Sequence, residues 1–159
     1  VKKAERIVNI DSQVPNKLVF EWLKAGKLFK NIVKIVPEYL YRDSRIDFYV
    51  ETESEKILIE VKGVTLEEDG VALFPDAPTE RGVRHILELC KSVEEGYRAY
   101  IIFVIQMDGI RYFAPNRKMH EEFADALSLA KKMDVSILAL ECSVRKDSIS
   151  IGNNVEVAV

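Results

Sequence analysis

Asp47, Glu60 and Lys62 are the residues of this 159-residue chain whose types and spacing fit a defined chemistry. Glu60 and Lys62 stand two apart in ILIEVKG (57–63), a stretch that alternates as a strand does, so both project from one face. Opposite charges on an otherwise apolar strand are costly unless solvated, paired or used. Alone, the two would form a surface ion pair of small worth. The preceding strand, SRIDFYV (44–50), changes that reading. A tight turn centred on Glu53 and Ser54 sets Ile46 against Val61, Phe48 against Ile59 and Val50 against Ile57 on an apolar face. The other face then opposes Arg45 to Lys62, Asp47 to Glu60 and Tyr49 to Leu58; a slip of one residue would mix the two faces. Directly opposed carboxylates destabilise a sheet. They call for a positive charge between them, either Lys62 or a divalent metal bound by two hard oxygen ligands. Two carboxylates holding Mg²⁺ or Mn²⁺, with an ammonium to offset charge developing in the transition state, suit hydrolysis of a phosphodiester.

The elements that must position this set are readable from periodicity. PNKLVFEWLKAGKLF (15–29) puts Leu18, Val19, Trp22 and Leu23 on one helical stripe and stops at Gly26. IVKIVPEYLY (32–41) is an extended segment with a break expected at Pro37, and the hairpin follows. EEDGVALFPDAPTERG (67–82) is expected to be a turn-rich loop. The next helix is expected to bury Val83, Ile86, Leu87, Cys90 and Val93 and to end at Gly96. AYIIFVI (99–105) is apolar throughout, as in a strand covered on both faces. A further helix over 118–133 uses Met119, Phe123, Ala126, Leu127, Ala130 and Met133. VSILALEC (135–142) is a strand, and SISIG (148–152) pairs near the sheet edge. The class is therefore α/β, in the order α-β-β-β-α-β-α-β, a mixed sheet flanked by helices, with residues 1–159 forming a single domain.

Composition narrows the function. Apolar residues are 48% and the net charge is −3, which describes a globular chain without a generally basic surface. The charge is uneven: residues 1–34 hold eight Lys or Arg against three acids. Lys17, Lys24, Lys27, Lys30 and Lys34 form a basic approach beside an acidic centre, which fits a phosphodiester substrate. Cys90 and Cys142 make neither a disulfide framework nor a metal cluster, and no signal peptide or membrane span is visible. A cytoplasmic setting is expected.

Asp47 followed by Glu60-Val61-Lys62 resembles the PD-(D/E)XK nuclease superfamily, whose core runs α-β-β-β-α-β. The literal Pro-Asp is missing, since Ile46 precedes Asp47, and Pro75-Asp76 comes after the Glu-x-Lys. A wider set of segments resembles the sugar fermentation stimulation protein family, SfsA: VPNKLVFEWLKAG (14–26), SRIDFYV, IEVKGVTLEEDGVALFPDAPTERG (59–82), HILEL (85–89), EEGYRAYIIFVIQ (94–106) and FAPN (113–116). The resemblance runs from about Asn9 to Gly152. It implies a restriction-endonuclease-like domain, which in that family follows an N-terminal domain resembling an OB-fold. Nothing before Val1 supplies that barrel, so the chain is expected to be the C-terminal domain.

The resemblance also implies roles. Asp47 and Glu60 match the metal-binding carboxylates and Lys62 the catalytic lysine. The superfamily often adds an acid from the first helix, and Glu21 occupies that place as a third metal ligand. Thr79 and Arg81 open the following helix, where an N-cap and a phosphate site are both expected. Lys17 and Lys24 are candidate contacts to nucleic acid, as are Asn116 and Arg117 in a loop. His85 and His120, each alone on a helix, are read as structural or surface residues, because no ligand spacing accompanies them. The resemblance implies DNA as partner, without strong sequence preference, and Mg²⁺ or Mn²⁺ as cofactor. Two functions remain open: a metal-dependent nuclease, and a non-catalytic DNA-binding regulator of sugar (maltose) metabolism that keeps the nuclease fold.

Overall fold

The computed structural model describes residues 2–3 and 6–159, with side chains from Ile7 onward. A two-stranded ribbon of β1 (Lys2–Lys3) and β2 (Arg6–Ile7) precedes α1 (Val14–Lys24). Three strands follow, β3 (Ile32–Tyr41), β4 (Ser44–Thr52) and β5 (Lys56–Val64), then a hairpin of β6 (Leu66–Glu68) and β7 (Val71–Phe74), and α2 (Glu80–Glu94). The chain continues through β8 (Arg98–Ile105), β9 (Tyr112–Pro115), α3 (Glu121–Lys132), β10 (Ser136–Val144), β11 (Ile149–Asn154) and β12 (Glu156–Val157).

The main sheet is mixed, in the order β11-β10-β8-β5-β4-β3. β3, β4 and β5 form an antiparallel meander, β5, β8 and β10 run parallel, and β11 returns antiparallel at the edge. β8 lies near the centre and divides its side chains between two cores. Ile101, Phe103 and Ile105 face Ile86 and Leu89 of α2 and Phe123 and Leu127 of α3. Tyr100, Ile102 and Val104 face Val19 and Leu23 of α1. This two-sided burial is why AYIIFVI carries no alternation.

The structure corrects several expectations. Residues 66–74 are not loop: Asp69 and Gly70, at φ 53° and 84°, make a two-residue turn of the primed kind between β6 and β7. With β9 and β12 this hairpin forms a second sheet in the order β12-β9-β7-β6. Pro37 does not break β3, because β3 is an edge strand, where a missing N–H costs no ladder bond. Leu87 of α2 is exposed and Leu89 is buried in its place, and Met119 lies outside α3 and is exposed.

Thr79 caps α2, its hydroxyl accepting from the Gly82 amide at 3.0 Å. Thr79→Ala is expected to cost about 1 kcal/mol in denaturant unfolding, the ordinary value of a lost N-cap.

Candidate active site

The β4–β5 ladder runs from Glu51–Lys56 through Val50–Ile57 and Tyr49–Leu58 to Phe48–Ile59, the register expected for a turn at Glu53 and Ser54, and there it ends. Asp47 and Glu60 come next, beyond the last pair. Their carboxylates take the place of ladder bonds: Asp47 Oδ2 accepts from the Val61 amide at 2.7 Å, and Glu60 Oε1 accepts from the Asp47 amide at 3.3 Å. The expected pairings of Ile46 with Val61 and Arg45 with Lys62 are therefore not part of the ladder. Ile46 also changes sides. It packs with Tyr49 and Leu58 in the core under α2 and α3, while Phe48, Ile59 and Val61 pack under α1. The alternation of β4 thus fails at Asp47, where the strands part and expose a cleft.

Both helix layers send side chains to the two carboxylates at this opening. From α1, Asn16 donates through Nδ2 to Asp47 Oδ1 at 2.9 Å. The approach depends on Gly63, because a Cβ there would lie 2.8 Å from Pro15 Cγ and 2.7 Å from Gln106 Oε1. From α2, buried His85 directs Nδ1 at Glu60 Oε2 in close contact. The Lys62 ammonium lies 3.4 Å from the same oxygen and 3.5 Å from His85 Nδ1. An Nδ1 that carries its proton toward Glu60 cannot accept from Lys62, so imidazole and ammonium both serve the one carboxylate oxygen.

The two acids consequently sit in opposite electrostatic states. Burial and the neighbouring Glu60, which prefers a protonated partner, raise Asp47 to about 7. Glu60 is almost wholly buried, which by itself raises a carboxyl. The bonds from His85 and Asp47 and the charge of Lys62 outweigh burial and hold it near 2. The two share a hydrogen bond and titrate as a pair. Glu60 ionises before Asp47.

Asp47, Glu60, Lys62, Thr79, Arg81 and His85 line a cavity of about 260 Å³, together with Glu38, Arg45, Ile46 and Val61. Of the sequence candidates, Asp47, Glu60, Lys62, Thr79 and Arg81 are thus brought together. Glu21 is not: it is exposed and pairs with Lys24 at 3.6 Å on the outer face of α1, and Asn16 is the α1 residue that reaches the acids. Lys17 is exposed outside the cavity lining, and Lys24 stacks over Phe20, 4.6 Å from the ring centre. Arg117 pairs with Asp125, Asn116 holds the Pro75 carbonyl, and His120 accepts from the Thr79 amide. His85 is the site residue the sequence reading passed over; its place one turn beyond Arg81 on α2 was the available signal. Glu38, left-handed at φ 51° on β3, is a second.

Among the described residues no three His, Cys, Asp or Glu side chains are grouped to hold an ion. What the site offers is two carboxylates, one of them raised by burial and by the carboxylate beside it. That donor set fits Mg²⁺, which takes one or two carboxylates and keeps much of its water, better than an ion needing a full protein cage. His85→Ala, which frees Glu60 from its positioning contact, is expected to weaken divalent-ion affinity about 10–100-fold in calorimetric titration.

Comparison with known proteins agrees with the fold, an α/β domain of three helices and two mixed sheets. The family described as "Sugar fermentation stimulation protein RE domain" matches residues 13–148. A sugar fermentation stimulation protein homolog of Ruminiclostridium cellulolyticum is 59% identical over 157 residues, covering 99% of this chain and 70% of the relative. One from Desulfitobacterium hafniense is 56% identical, over 99% of this chain and 68% of the relative. The solved structure of Pyrococcus furiosus SfsA in complex with Ca²⁺ superposes with a TM-score of 0.92 at 28% identity, covering 99% of this chain and 69% of that one. The chain belongs to the sugar fermentation stimulation protein family. Among the described residues no helix is long and apolar enough to cross a membrane.

Proposed function

We propose that this chain is a restriction-endonuclease-like, PD-(D/E)XK domain that binds DNA and hydrolyses phosphodiester bonds with Mg²⁺ or Mn²⁺. The observation that carries the reading is the convergence of Asp47, Glu60 and Lys62 where the β4–β5 ladder opens, with His85 and Asn16 holding the two carboxylates from opposite layers. The relative solved with Ca²⁺ supports a taste for divalent ions with oxygen ligands.

Asp47 and Glu60 are the residues that would hold the ion, which when bound would polarise the phosphate and activate water. Asn16 and the Val61 amide fix the two oxygens of Asp47. Lys62, mostly shielded from water beside Glu60, presents a cation where the phosphorane oxygens and leaving group gain charge. Arg81 and the first turn of α2 provide a second positive edge for the incoming strand.

A second reading is a DNA-binding regulator without turnover. It is favoured by the way Glu60 is already satisfied by Lys62, His85 and the Asp47 amide. The two readings part when end-labelled single- and double-stranded DNA is incubated with Mn²⁺ or with EDTA. Cleavage confined to Mn²⁺ supports the nuclease; salt-sensitive binding with intact DNA in both supports the regulator.

A further inference from the structure

A second cavity, of about 580 Å³, adjoins the acidic cleft and shares Arg45, Arg81 and His85 with it. Such a volume is that of a small-molecule site. Arg81, Arg84 and Glu88 line it from one face of α2, at i, i+3 and i+7, and Arg45 faces them from β4. Among the described residues, none of these three guanidinium groups has an ion pair or hydrogen bond. Asp43 and Glu88 are the carboxylates of the lining, so the pocket carries one positive charge in excess, matching one phosphodiester.

The second observation is an orphan. Glu88 lines the same cavity, and its Oε2 is buried and accepts from no group among the described residues. A buried acceptor without a donor is uncommon in folded proteins and asks for an explanation. A carboxylate also repels phosphate, so a purely electrostatic trough for DNA gains nothing from it. Turned into the cavity, that oxygen could accept from an O–H or N–H one step beyond a phosphate held by the arginines.

We propose that this cavity seats one nucleotide of the bound strand next to the scissile phosphate. Arg45, Arg81 and Arg84 take its phosphate, and Glu88 accepts from a donor on its sugar or base. The proposal rests on the phosphodiester reading of the cleft, and it makes substrate positioning depend on residues that are not metal ligands.

Arg84 and Glu88 line this cavity and not the cleft, so their variants test it alone. Binding of a fluorescein-labelled single-stranded DNA is followed by anisotropy in EDTA across a KCl series. Arg84→Ala is expected to raise Kd about 10-fold and to lower the salt slope by about one. Glu88→Met is expected to raise Kd about 5-fold while the thermal midpoint stays level or rises, because a buried unsatisfied carboxylate has been removed. The same strand with abasic units locates the donor: a Glu88 effect that persists lies on the sugar, one that vanishes lies on the base. Unchanged Kd and slope in Arg84→Ala, or unchanged Kd in Glu88→Met, would overturn the pocket while leaving the nuclease reading intact. Wild-type protein that binds no DNA at any salt would remove both.

Discussion

Asp47→Asn, Glu60→Gln and Lys62→Ala are each expected to lower metal-dependent DNA cleavage by about 10³-fold or more, with the domain still folded. Asp47 and Glu60 would hold the same ion, so loss of either carboxylate removes the site and not a share of it. Lys62 adds a separate fixed cation, 3.4 Å from Glu60, to offset charge developing on the phosphate, and its loss would remove that stabilisation. Folding survives for separate reasons. Asn at 47 reproduces the protonated acid that the metal-free site favours near neutral pH. Gln at 60 keeps the shape of a buried side chain, and removal of Lys62 leaves Glu60 with His85. DNA binding should respond differently from cleavage. Removal of a carboxylate lessens repulsion of phosphate, so Asp47→Asn should bind DNA as well as the parent or better, and salt should weaken both by counterion release. Equal cleavage rates in parent and Asp47→Asn would assign the cutting to a contaminant and the domain to the regulator reading.

Asp47→Asn is also expected to stabilise the metal-free domain at pH 8, by about 2–4 kcal/mol, or roughly 5–10 °C in Tm. Asp47 titrates at about 7 in the fold and near 4 when unfolded. Between those values the folded state holds a proton that the unfolded chain has released, so stability falls as pH rises from about 4 to about 7 and is level above. Glu60 has the opposite sign: held near 2, it adds stability above the ordinary carboxylate range that is lost as pH falls toward 2. The metal-free pair is thus best satisfied near pH 4–5. A bound divalent ion relieves the strain that Asn relieves, adding about 2.7 kcal/mol at a hundredfold excess over Kd. Mn²⁺ should therefore raise the Tm of the parent and leave Asp47→Asn unmoved. The rise should be larger at pH 8 than at pH 5.5, where the ion must displace a proton. Calorimetric scans that show a flat profile between pH 4 and 8, with parent and variant equal, would contradict this.

The hairpin was legible because burial on one face constrains parity, and Phe48–Ile59, Tyr49–Leu58 and Val50–Ile57 pair as patterning requires. The same logic placed Ile46 wrongly, since parity holds only while the ladder is continuous, and the ladder stops where two carboxylates bond the facing amides. Periodicity found α1, α2 and β8. It missed β6 and β7, whose strands are too short to show a period, though Asp69-Gly70 marked their turn. Glu21 was chosen for its charge, but a helix presents residues by angle. The turn of α1 that meets Asp47 is the first, where Gly63 lets Pro15 and Asn16 close on β5. His85 was passed over because its partners lie 25 and 23 residues away in sequence, and no local spacing encodes such a contact.

Diffraction from crystals soaked in Mn²⁺ tests the two-carboxylate site most directly. The expected result is an anomalous peak within about 2.5 Å of one oxygen each of Asp47 and Glu60, lost in Asp47→Asn crystals soaked alike. A map with no peak there, in which Asp47 still bonds Asn16 and Val61 and Glu60 still bonds His85, would contradict the divalent-ion site and the phosphodiesterase built on it.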